Sequence, residues 1–206
     1  MTATGMKGRL KDEEAAENTQ PPKCMQRLWR RPGFSPNVIR GKEYGNAVHS
    51  FLQYVRYDAC TDAQGVRREI ERLTNERYIS QEQAAMITPE QIATFFASEL
   101  GQKLMCGCVE REFKFSILQD GASFDPQLRG EQVLLQGVVD CALLEDDGIT
   151  VLDFKTDYVT EDTIGGLVER YRPQVQTYAN AMERIFQMPV KRALLYFFHI
   201  GRFVEI

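Results

Sequence analysis

The sequence predicts an α+β fold with a helical N-terminal half. Three observations carry this. Apolar residues recur at three- and four-residue steps up to about residue 100, the period then drops to two, and one long helical pattern separates the last strands from the first.

The elements follow in order. Residues 1–22 are polar, carry Pro21-Pro22 and read as a tail or linker, which leaves 23–206 as one domain. From Lys42 to Tyr57, the residues Tyr44, Val48, Phe51, Leu52 and Val55 form one apolar helical face, with His49 on its border. Residues 62–77 form a second helix, with Val66, Ile70 and Leu73 inward and Arg67, Arg68 and Glu71 outward. Ser80-Gln81-Glu82-Gln83 has capping-box spacing, and so has Thr88-Pro89-Glu90-Gln91 with proline at the first helical position. The second predicts a helix through Ile92, Phe95, Phe96 and Leu100 that stops near Gly101. Residues 111–117 alternate strictly and predict a half-buried strand. After a polar loop, residues 133–144 read as a second strand. Asp146-Asp147-Gly148 is a turn, and the apolar run 149–154 is a central third strand. Residues 172–186 return to helix. Residues 193–198 and 203–206 close the chain as strands across Gly201.

With 43% hydrophobic and 26% charged residues, the composition is that of a soluble globular domain. No apolar run approaches the roughly 20 residues that span a bilayer, and no apolar segment marks a signal peptide. The net charge of −4 disfavours a protein that grips nucleic acid over its whole surface. It suits a site that concentrates carboxylates. Basic clusters at Lys23, Arg27, Arg30 and Arg31, at Arg40 and Lys42, and at Arg67 and Arg68 read as solvated surface. Five scattered cysteines, with Cys106 and Cys108 lacking a second close pair, point to reduced structural thiols rather than a zinc site.

The chemistry concentrates around Gly137-Val138-Val139-Asp140 and Leu152-Asp153-Phe154-Lys155. A hairpin turning near Asp147 sets Asp140 beside Asp153. Strand periodicity then puts Lys155 on the same face as Asp153. Two neighbouring carboxylates call for a cation between them, and a lysine beside it suits phosphodiester hydrolysis. The same spacing also suits a surface ion pair between Asp153 and Lys155. Paired carboxylates could instead act as acid and base on a glycoside, which would leave the lysine idle. Gln174 and Tyr178, four apart, share a helix face. They fit either phosphate and base contacts or one surface and one core position.

Taken together, G-V-V-D, L-D-F-K-T-D and Q-V-Q-T-Y resemble the RecB-type branch of the PD-(D/E)XK nucleases. Within that branch the chain is most similar to the AddA (RexA) nuclease domains of bacterial ATP-dependent helicase–nucleases. The resemblance runs from about Gly41 to the C-terminus and includes Gly45-Asn46-Ala47-Val48-His49 and Arg111-Glu112-Phe113. It implies a restriction-endonuclease-like core, a central mixed sheet flanked by helices. It implies that Asp140 and Asp153 bind metal, that His49 is a further ligand, and that Lys155 is the catalytic lysine. Gln174 and Tyr178 would support the site and the DNA, with Glu112 nearby. The implied cofactor is Mg²⁺, replaceable by Mn²⁺. No cysteine follows Cys141, so the iron–sulfur cluster of some relatives is not expected. The chain has no G-x-x-x-x-G-K-[ST] motor motif. The resemblance therefore implies a helicase domain of the same parent chain, an AddB-like partner subunit, DNA delivered mainly as single strands, no membrane, and a bacterial cytoplasmic setting. The alternative of the same fold is a DNA-binding module that does not cut.

Overall fold

The computed structural model describes residues 36–206 apart from residue 124, with side chains from 41 onward. The expected tail at 1–22, the boundary at 23 and the cluster from Lys23 to Arg31 lie outside the described residues.

Five helices precede the sheet: α1 (Pro36–Tyr54), α2 (Ala63–Asn75), α3 (Gln81–Met86), α4 (Pro89–Ala97) and α5 (Glu99–Cys106). Then come β1 (Cys108–Asp120), β2 (Gln132–Glu145), β3 (Gly148–Lys155), the long α6 (Glu161–Phe186), β4 (Val190–Phe197) and β5 (Arg202–Glu205). The sheet order is β1-β2-β3-β4-β5, antiparallel throughout except for the parallel β3–β4 pair. That parallel pair requires a crossover, and α6 supplies it. Among the described residues no helix is long and apolar enough to cross a membrane.

The two sheet faces have separate cores. One joins Val48, Phe51 and Leu52 of α1, Leu73 of α2, and Phe95 and Phe96 of α4 to Leu152, Phe154 and Tyr196 of the strands. The other faces α6, whose Val175, Ala181 and Met182 meet Val139, Val151, Leu195 and Phe197. Being covered on both faces explains why β3 is buried along nearly its whole length, as its apolar run predicts.

Three elements depart from the sequence expectation. The helix expected to run through Leu100 breaks at Ser98. Ser98 adopts an extended conformation and its Oγ accepts the Gly101 N–H at 3.0 Å, capping α5. Gly101 is therefore not a stop signal. A Cβ there would lie 2.2 Å from the Phe95 carbonyl oxygen, so the tight α4–α5 corner admits no side chain. Thr88 makes no capping side-chain bond, leaving Pro89 as the start signal for α4, whereas the Ser80 box forms both of its bonds. Finally, α6 starts eleven residues before Arg172, at Glu161. The glycine pair 165–166 and Pro173 hide its first half in the sequence.

Glu69 of α2 is 1% exposed. It accepts hydrogen bonds from Arg72 Nη2 at 2.7 Å and from the Arg56 backbone N–H at 3.0 Å, which ties α2 to the end of α1. Burial alone would raise its pKa, but the two guanidinium groups and the backbone N–H outweigh burial and hold it at about 2. A folded-state pKa below the unfolded 4.5 gives stability that is complete above pH 4.5 and lost as pH falls through about 2. Glu69→Gln is expected to cost about 3 kcal/mol at neutral pH. Wild-type and variant melting temperatures should converge across that acid window. Coincident melts at pH 7 would remove Glu69 from the stability account.

Candidate active site

The C-terminal end of β3 is where β2 and β3 part. Their ladder runs as far as Cys141↔Leu152. One step further, Asp140 Oδ2 accepts the Phe154 N–H at 2.7 Å, so a side-chain carboxylate replaces the next backbone acceptor. The hairpin geometry expected from the sequence thus brings Asp140 alongside the Asp153-Phe154-Lys155 segment.

Helix α1 reaches the same spot. A Cβ on Gly45 would stand 2.9 Å from Thr156 Oγ1, so this glycine lets the helix press against the end of β3. One turn on, His49 Nε2 lies 3.2 Å from the Phe154 carbonyl oxygen. Its Nδ1 lies 3.4 Å from Glu112 Oε1 and 3.6 Å from Asp140 Oδ1. The carbonyl can only accept, so Nε2 carries the hydrogen and donates it. Nδ1 then faces two carboxylates, and only a proton or a cation between them makes that arrangement favourable. Burial lowers the His49 pKa, but the charge of Asp140 and the bond and charge of Glu112 outweigh it, with Asp153 adding, and raise it to about 9. Asp140 is pushed well above the ordinary carboxylate range, first by burial and then by the charge of Asp153.

Glu112 enters from β1 with φ of 47°, a left-handed conformation rare for a residue bearing a side chain. It stands between the Arg111↔Cys141 and Phe113↔Val139 pairs, opposite Asp140. Both strands change faces here. Val109, Cys141 and Leu143 pack with the α1 side, whereas Phe113, Phe115 and Val139 pack with α6. The alternation slips by one residue at the kink, as at a β-bulge, which aims Glu112 at the site. The preceding Arg111 donates from Nη1 to the Val55 carbonyl at 2.7 Å, at the C-terminal end of α1, and its guanidinium lies 4.5 Å from the Tyr57 ring centroid. The Arg111-Glu112 pair thereby joins the helix carrying His49 to the strand carrying Glu112.

Among the described residues, ligand atoms of His49, Glu112 and Asp140 all lie within 4.8 Å of one another. Asp153 stands beside this group and is 1% exposed. Its Oδ2 is 2.6 Å from Lys155 Nζ, an ion pair without hydrogen-bond alignment, which leaves that buried oxygen without a hydrogen-bond partner. One imidazole nitrogen, several carboxylate oxygens and an orphaned buried oxygen form a donor set suited to a hard divalent cation.

Lys155 is held on its other sides by α6. Its Nζ donates to Gln174 Oε1 at 3.3 Å, and Gln174 Nε2 donates to Tyr178 Oη at 2.7 Å. Gln174 and Tyr178 thus act in series. Lys155 Nζ also lies 4.1 Å from the Tyr171 ring centroid, and Tyr171 Oη donates to Asp157 Oδ2 at 3.0 Å. Burial works against the Lys155 charge, but Asp153 and Asp140 outweigh it and raise the pKa above its usual value. Sequence reasoning missed Tyr171. Its signal is the i, i+3 step to Gln174 on one helix face, concealed because the helix was expected to begin after it.

The comparisons with known proteins agree with this geometry. The AddA component of the ATP-dependent helicase/nuclease of Bacillus cereus (strain ATCC 10987 / NRS 248) is 35% identical over 217 aligned residues, covering 100% of this chain and 18% of that protein. The protein of the same name from Bacillus mycoides (strain KBAB4) is 34% identical with the same coverage. The chain therefore spans less than a fifth of the length of these relatives. The PD-(D/E)XK nuclease superfamily profile matches residues 9–204, nearly the whole chain, and the chain belongs to that superfamily.

Proposed function

We propose that this chain is a metal-dependent deoxyribonuclease domain that hydrolyses phosphodiester bonds of single-stranded DNA. The observation that carries this reading is the convergence of His49, Glu112, Asp140 and the Asp153–Lys155 pair at one end of β3. His49, Glu112 and Asp140 would hold a divalent ion, Mg²⁺ or Mn²⁺, with Asp153 at its edge. When bound, that ion polarises the phosphoryl oxygen and lowers the pKa of an attacking water.

The remaining roles fall to the chain itself. The Phe154 N–H and carbonyl orient Asp140 and His49. Lys155, kept protonated by Asp153 and Asp140, offers a fixed positive charge where negative charge builds on the phosphate. Gln174, Tyr178 and Tyr171 hold that ammonium in place.

The relatives' name supports a wider setting: a helicase domain in the same parent chain, an AddB-like partner subunit, and cytoplasmic repair of double-strand breaks by recombination. A motor that unwinds DNA would deliver single strands, and a flexible backbone enters a carboxylate-lined cleft more cheaply than a duplex.

The test is cleavage of end-labelled single-stranded and blunt duplex DNA at fixed salt. Mg²⁺ and Mn²⁺ should support cutting, Ca²⁺ should support it poorly, and single strands should be cut faster. Undiminished cutting in EDTA, or no cutting in any metal, would overturn the proposal.

A further inference from the structure

Tyr158 is 76% exposed, the most exposed of the large hydrophobic side chains in the described residues. Its neighbours in sequence are pinned. Asp157 accepts the Tyr171 hydroxyl at 3.0 Å. Val159 is 1% exposed in the core beneath α6. The ring therefore stands out from an anchored backbone. A second ring backs it: His199 lies 4.2 Å away, centroid to centroid, tilted by 50°. His199 Nδ1 lies 3.0 Å from the Val159 carbonyl oxygen and 3.3 Å from its N–H, which fixes the imidazole relative to the tyrosine.

The pair sits just past the ends of β3 and β4. Lys155 pairs with Phe197 there, and the Phe198 N–H bonds the Lys155 carbonyl oxygen at 2.9 Å. From strand spacing and rise, His199 is on the order of 8 Å from Lys155, backbone to backbone. Along this edge of the sheet Asp140, the Asp153–Lys155 pair and the Tyr158–His199 stack come in sequence on β2, β3 and the ends of β3 and β4. A strand whose phosphate lies at Lys155 would bring a neighbouring base over the stack. An exposed, restrained aromatic ring beside a phosphate-directed cation is the pairing that single-stranded nucleic acid requires.

We propose that Tyr158, backed by His199, is a stacking platform for one unpaired nucleobase next to the scissile phosphate. This rests on the proposed nuclease reading and adds a subsite to it. Stacking on a ring face accepts any base and excludes a paired one, so the platform would make the site select single strands without reading sequence.

The experiment measures binding of a single-stranded oligonucleotide to the full chain in Ca²⁺, so that cutting is slow. Tyr158→Ala should weaken binding about five- to hundredfold, while Tyr158→Phe should bind as wild type does. An oligonucleotide series with one abasic position moved along the strand supplies the second readout. One position should lower wild-type affinity to that of Tyr158→Ala and have no further effect on that variant. If the wild type cuts single strands while Tyr158→Ala binds them equally well, the platform is wrong and the nuclease reading stands. Unchanged DNA affinity with a lowered melting temperature would instead make Tyr158 a packing contact and also overturn the proposal. If the wild type neither binds nor cuts single strands, the nuclease reading itself fails.

Discussion

Lys155→Met is expected to lower the single-turnover cleavage rate by about 10²–10³, or roughly 3–4 kcal/mol of barrier, while metal affinity holds or rises. Methionine keeps the stem that lies along Tyr171 and removes the charge. What remains is a buried Asp153 whose Oδ2 has lost its only close cation, next to an Asp140 already pushed up by burial and by Asp153. That extra negative charge favours a bound divalent ion. Without metal, the uncompensated carboxylate should destabilise the fold by about 3–5 kcal/mol. Mn²⁺ should therefore raise the melting temperature of the variant more than that of the wild type. Calorimetric Mn²⁺ titration, thermal melts with and without metal, and single-turnover cleavage separate these effects. A folded Lys155→Met protein that cuts at the wild-type rate would reduce Asp153-Phe154-Lys155 to a structural ion pair.

The legible parts of this site are those governed by short-range periodicity. Asp153 and Lys155 are two apart on a strand. Asp140 is placed by a hairpin whose turn is written as Asp146-Asp147-Gly148, and Gln174 and Tyr178 are one helical turn apart. Each relation follows from a repeat of two or 3.6 and holds in the structure. The illegible parts depend on breaks in periodicity. Glu112 points into the site because its backbone goes left-handed and the alternation of β1 and β2 slips by one residue, which no local signal announces. Tyr171 lies in a helical stretch masked by two glycines and a proline. The break at Ser98 is encoded in the collision a side chain at 101 would suffer with Phe95, a tertiary fact. His49 is intermediate. The residues place it at the border of an apolar face, and only the approach of α1 to β3 at Gly45 gives it a partner.

Glu112→Gln is expected to cost Mn²⁺ affinity tenfold or more and to abolish cleavage at metal concentrations that saturate the wild type. Glutamine keeps the shape and can hold the same backbone kink, so the loss reports the charge. The argument rests on which carboxylates are free to meet a cation. Asp140 commits one oxygen to the Phe154 N–H and presents the other, Oδ1, 3.6 Å from His49 Nδ1. Glu112 presents Oε1 at 3.4 Å from the same nitrogen. Asp153 is engaged by Lys155 at 2.6 Å, and its charge is largely cancelled there. Metal affinity should therefore fall more for Glu112→Gln and Asp140→Asn than for Asp153→Asn, although all three should cut poorly. The ion-free protein should lose no stability in Glu112→Gln, because the change relieves repulsion between Glu112 and Asp140 across the hairpin. If Glu112 serves only as the ion-pair partner of a protonated His49, the outcome reverses. Mn²⁺ would then bind as tightly as before, and the melting temperature of the metal-free variant would fall. Titrating Mn²⁺ into all three variants, with melts of the metal-free proteins, decides between a ligand that the kink in β1 delivers and a salt bridge that happens to stand beside the site.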